Sequence, residues 1–134
     1  MTGQLETSTL AFANTLLKTA FRQNIEVTVR KLQCLLYLAH AGYLQSTGLG
    51  LFAENFQHLR SGPGLPSIQA VFDCYGTQPI RTLAENAKHD SPILNFTRNP
   101  HLQPIVSHIE TAFLPMTESE LMEIVNRKKV KPDA

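Results

Sequence analysis

The chain has 134 residues, with twelve Lys or Arg against eleven Asp or Glu, for a formal charge of +1. That length lets one domain bury a core without metal or disulfide staples, and the near balance of charge leaves no global field to draw the chain onto nucleic acid or acidic lipid. No apolar run approaches the roughly 20 residues that cross a bilayer, and the leading MTGQLETSTLAFAN has no basic stretch ahead of an apolar one, so a cytoplasmic, non-secreted protein is expected.

Ser8 or Thr9 is placed to cap a first helix, because a short hydroxyl accepts a bond from an orphaned backbone N–H. Leu10, Ala13, Leu16, Leu17, Ala20 and Phe21 then recur on one face, with Asn14, Lys18 and Arg22 away from its centre. Gln23-Asn24 ends this helix, Ile25 and Val27 read as an extended connector, and Thr28 caps the next. In that second helix Val29, Leu32, Leu35, Leu36, Ala39 and Tyr43 fall within one arc, while Cys34, Tyr37, Leu38 and Ala41 project elsewhere. A helix apolar nearly all round is a central one, and Gly48 is its natural left-handed stop.

From Leu51 to Arg60 the pattern loosens into two short strands or an irregular hairpin. Ser61 to Pro66 reads as a rigid loop shaped by Gly62, Pro63 and Pro66, since prolines remove donors and glycines permit unusual dihedrals. Ser67 begins a short helix carrying Ile68, Val71, Phe72 and Tyr75, stopped by Gly76. Between Thr77 and Asn99 only Ile80, Leu83, Ala84 and Ala87 hint at a helix. Asn99-Pro100 resembles a cap and first helical position, with Leu102, Ile105, Val106, Ile109, Ala112 and Phe113 at helical spacing as far as Pro115. Thr117-Glu118-Ser119-Glu120 is a capping box ahead of Leu121, Ile124 and Val125, and residues 127–134 form a polar, basic tail. The expected architecture is mainly α, a multi-helix domain spanning 1–134 around a central buried helix, with a small β-hairpin or irregular β element.

Catalytic chemistry has little to stand on. Catalysis by a nucleophile needs a base and an orienting group that converge on it, and Cys34 and His40 are turned about 120° apart on their helix. Both cysteines are expected as small buried hydrophobes, with no disulfide framework. His101 and His108 stand about 10 Å apart along a helix axis, too far to share one metal. No phosphate loop, nucleophile elbow or deaminase signature appears, so no enzyme, metal or cofactor is expected. Basic residues are scattered except in the tail, which points away from nucleic acid as the main partner.

An ordered set of short features runs from Lys31-Leu32-Gln33 through Leu36-Tyr37, His40, Tyr43, Leu51-Phe52, Gly62-Pro63 and Pro66-Ser67 to Tyr75-Gly76. Over residues 11–80 this succession resembles the Panacea domain, the SocA-like or GepA-like phage-associated family, with residues 81–134 diverging. It departs at His40-Ala41-Gly42 and His58-Leu59-Arg60, where the family commonly carries tryptophan. The resemblance implies a bacterial, antitoxin-like module that neutralises a partner toxin by direct stoichiometric binding, or alternatively an adaptor or accessory subunit of another bacterial or phage assembly, proteolytic adaptors included. Candidate partner-binding residues are Lys31 and Arg60, of exposed type, with Tyr37, His40 and Tyr43. The two tyrosines also suit a core with a polar tip, and His40 suits a half-buried histidine bonded to a backbone carbonyl or side chain.

Overall fold

Hydrogen-bonding side chains start three of the five α-helices among the described residues. The structure, a computed structural model, describes residues 8–52, 54–59 and 62–127. Arg60, Ser61 and the basic tail beyond Arg127 lie outside them. Helix α1 (Thr9–Arg22) starts where Ser8 Oγ accepts the Ala11 N–H at 3.2 Å. It ends in a Schellman motif, with Ile25 N–H on the Ala20 carbonyl and Asn24 N–H on that of Phe21. Asn24 takes the left-handed φ of 56° that this turn requires, a conformation asparagine tolerates better than most residues.

Helix α2 (Val29–Thr47) is capped by Thr28 Oγ1, which accepts the Lys31 N–H at 3.1 Å, and is stopped by Gly48 at φ 78°. Every residue from Lys31 to Ala39 is buried. The helix packs against all the later helices and the hairpin, and it shares one hydrophobic cluster with Phe12, Leu16 and Leu17 of α1. This is the central helix that its nearly unbroken apolar surface requires.

The hairpin pairs β1 (Gln57–Leu59) with β2 (Gly62–Gly64) antiparallel, His58 opposite Pro63. The reading of residues 61–66 as a loop is thereby corrected, because Gly62, Pro63 and Gly64 form a strand. A proline is accommodated in a two-stranded sheet because each strand keeps a free edge. Gly64 sits in a crowded place: a Cβ there would lie 2.6 Å from Leu59 Cδ1 and 3.0 Å from Gln33 Cδ, so those side chains would have to shift. Pro66 is likewise not in a loop but opens α3 (Pro66–Phe72), where its missing N–H costs nothing. Ile68 and Phe72 face inward, Val71 is exposed, and a 3-10 turn over Asp73–Tyr75 runs to Gly76.

Residues 77–101 contain no helix, contrary to the hint from Ile80, Leu83, Ala84 and Ala87. Their backbone polar groups bond elsewhere. Ile80 N–H donates to the Val27 carbonyl at 2.8 Å. Asn14 Oδ1 accepts the Ala84 N–H at 2.9 Å, while its Nδ2 donates to the carbonyls of Ala84 at 2.9 Å and Pro92 at 3.0 Å. Thr15 Oγ1 accepts the Leu94 N–H at 2.9 Å. Asn14, placed by its polarity away from the centre of its helix face, is fully buried because it serves this segment.

Helix α4 (Leu102–His108) continues into a π turn over Ile109–Phe113, closed by Leu114 N–H on the Ile109 carbonyl. The extra residue shifts the inward face by one position: Ala112, expected in the core, is exposed, and Leu114 is fully buried. Helix α5 (Glu118–Arg127) begins at the expected capping box, in which Thr117 N–H donates to Glu120 Oε1 and Glu120 N–H to Thr117 Oγ1. Leu121 and Val125 are buried against α2, Ile124 partly so. The described residues thus form a mainly α fold of five α-helices and one small antiparallel sheet.

Candidate functional site

The central helix organises three surroundings, and the sequence candidates divide among them. The first is an aromatic corner. Leu51 and Phe52 turn the chain back over α2, and His40 Nδ1 accepts the Leu51 N–H at 3.4 Å, which requires the neutral imidazole. Its ring stacks on Phe52 at 6.4 Å and tilts against Phe56 at 5.1 Å; Tyr37 meets Phe56 edge-on at 5.3 Å, and Phe12 meets Phe52 likewise. Burial lowers the His40 pKa, since an imidazolium here would lose its hydration. His40 is half-buried, as its position on the wheel suggested, but its backbone partner is a donor N–H rather than a carbonyl. Tyr37 is buried beside it.

The second is the foot of the hairpin. Gln33 is buried, and its amide closes a two-way clamp on one residue: Oε1 accepts the Leu65 N–H at 2.9 Å and Nε2 donates to the Leu65 carbonyl at 3.1 Å. With Gly64 pressed against Gln33, β2 and the start of α3 are fixed directly on α2. Gln57 and His58 of β1 are exposed at the outer end of this unit. Arg60 follows them in sequence, outside the described residues.

The third lies where α5 meets the first turn of α2. The Thr28 hydroxyl donates to Glu118 Oε1 at 2.5 Å, and Arg30 pairs with Glu118 Oε2 at 3.4 Å. Below them the Cys34 thiol donates to the Met122 thioether at 3.2 Å, and a pocket of about 150 Å³ opens between these groups and the hairpin. Burial first and Glu118 second push the Cys34 thiol up to about 12, Arg30 opposing them. Such a thiol is protonated at neutral pH and a poor nucleophile. Lys31 was expected to be exposed and is instead buried, at 6% exposure; burial lowers its pKa, with Glu118 acting in the opposite sense. Cys74 departs the other way, being exposed where a buried hydrophobe was expected.

Tyr43 belongs to none of these; it is partly buried at a groove between α2 and α4. The structure therefore gathers Tyr37 and His40 into one cluster and leaves Lys31 and Tyr43 apart from it. Among the described residues no group of three or more His, Cys, Asp or Glu could hold a metal, and no helix is long and apolar enough to cross a membrane. Sequence reasoning passed over Asn14 and Glu118, whose partners lie far along the chain. It singled out Gln33 only as part of a motif.

The class these features define is a small, mainly α protein with a hairpin clamped to its central helix. Compared with known proteins, the chain matches no family model, and no curated protein or solved structure is significantly similar to it.

Proposed function

We propose that the chain is a non-catalytic, cytoplasmic protein-binding module of antitoxin type, a diverged relative of the Panacea domain, that neutralises a partner toxin by direct stoichiometric contact. The observation carrying this reading is the hairpin unit. Gln33, Leu51-Phe52, Gly62-Pro63 and Pro66, the residues on which the resemblance rests, fix the hairpin and corner to α2 through the Gln33–Leu65 clamp and the His40 contacts. The unit holds Gln57 and His58 outward, where their side chains are open to contact by a second protein. Arg60 remains a candidate contact. Lys31, being buried, is reassigned to the interior, and Tyr37 and His40 act by positioning the corner.

Affinity purification of the tagged protein from its native host, with mass spectrometry of whatever co-purifies at near-stoichiometric yield, tests the reading. One small protein that arrests growth alone and is rescued by co-expression is the expected result. His58→Glu and Arg60→Glu should each weaken that complex while leaving the thermal midpoint of the free chain unchanged. Recovery of several subunits of one non-toxic assembly would replace the antitoxin reading with that of an adaptor.

A further inference from the structure

The cavity where α5 meets the first turn of α2 has two sulfur atoms in its wall. Cys34 Sγ and Met122 Sδ lie 3.2 Å apart, and both residues line the space of about 150 Å³ between these helices and the hairpin. A thiol and a thioether touching inside a sealed core have nowhere to admit a ligand, whereas this pair has open space beside it. Met122 also has slack. Gly62 of β2 lies against its methyl group and lacks the Cβ that would come within 3.3 Å of Met122 Cε.

These donors are soft. Thiolate and thioether select soft ions such as copper(I), while magnesium and calcium take oxygen. Glu118 is the one carboxylate among the described residues lining the cavity, and its oxygens are already engaged, Oε1 by the Thr28 hydroxyl and Oε2 by Arg30 at 3.4 Å. Charge then decides the valence. Arg30 and the buried Lys31 outnumber Glu118 around the first turn of α2, and a further positive charge out of water is costly. A monovalent ion that replaces the thiol proton adds none: the Cys34 S–H bond breaks, the proton leaves to solvent, and Sγ keeps the electron pair that binds the metal. A divalent ion would leave one charge unbalanced.

We propose that this cavity is a binding site for one soft monovalent cation, copper(I) or silver(I), held between Cys34 Sγ and Met122 Sδ. Metal–sulfur bonds of about 2.3 Å, as for zinc, set the two sulfurs roughly 4 to 4.6 Å apart. Met122 therefore draws back as the ion enters, a shift its three rotatable bonds permit. Bound there, the ion joins α2 to α5 beside the hairpin. The site is independent of the antitoxin reading.

Silver(I) titrated into the untagged full chain carrying Cys74→Ser, which removes the exposed thiol, tests the proposal. Native mass spectrometry should show one silver ion per chain at near-equimolar silver, with helical circular dichroism unchanged, so that the ion enters the folded protein. Zinc(II) and calcium(II) should not bind under the same conditions. Met122→Leu conserves volume and removes the thioether; in the same background it should keep the helical signal and weaken silver binding roughly tenfold or more. Cys34→Ser should abolish the one-to-one species. A folded chain that takes up no silver, uptake that comes only with loss of helical signal, or equal affinity in Met122→Leu would overturn the proposal, the last by reducing the site to a single thiol.

Discussion

Buried polar residues have sharply different effects at the scale of single side chains, depending on whether they find partners. Lys31 is buried, with Glu118 the charge that acts on it and with no ion pair among the described residues. Removing the ammonium while keeping an apolar stem relieves its desolvation, so Lys31→Met is expected to raise the thermal midpoint. Lys31→Glu should lower the thermal midpoint, because it buries a carboxylate near Glu118. Thermal unfolding of the two variants separates these outcomes. The thiols offer a second contrast. Cys34 keeps its proton to about 12 in the folded chain, whereas an unfolded thiol ionises near 9; stability should therefore decline as pH rises through that interval. At neutral pH iodoacetamide should label exposed Cys74 readily and Cys34 only after unfolding, as peptide mass spectrometry would reveal.

At the level of elements, Asn14 anchors a non-helical segment by three hydrogen bonds, two at Ala84 and one at Pro92. Asn14→Ala leaves the Ala84 N–H and carbonyl without their buried partner, a loss of about 3 kcal/mol, and faster hydrogen exchange at the Ala84 amide should accompany the lower denaturation midpoint. Thr117→Ala removes half of the capping box and should cost about 1 kcal/mol, read from the same urea curves. These two cases also explain what the sequence made readable. Caps at Ser8, Thr28 and Thr117 act over three residues and stand out by inspection. Asn14 acts across 70 positions, so its segment looked like a weak helix and Asn14 like a surface residue. Gly62-Pro63-Gly64 reads as a breaker until Gln33 is known to press against Gly64. The π turn escaped because apolar spacing was judged against an α-helical period. Of the candidate site, the Tyr37–His40 side was visible on α2, but the split between positioning and contact residues depended on partners from distant segments.

For the molecule as a whole, His40 links acidity to stability. Its folded pKa is lowered from 6.5 by burial, so as pH falls below that value the unfolded chain takes up the proton first. Stability is retained above about 6.5 and declines below it, levelling once the folded histidine also protonates. Comparing urea midpoints of wild type and His40→Phe across pH isolates this contribution, because the difference cancels the other histidines. The corner of Leu51, Phe52 and Phe56 should loosen first, since protonation removes the Nδ1 lone pair that holds the Leu51 N–H.

Asn14 grips the chain at Ala84 and again at Pro92, and every residue from Glu85 to Ser91 between them is exposed. One side chain thus staples both shores of an exposed stretch. A protease that cuts within it would leave two fragments sharing the core, still tied at either side of the nick. Such a nicked protein should elute as a single species and separate only in denaturant, which makes this stretch the natural point at which to divide the chain into complementing halves.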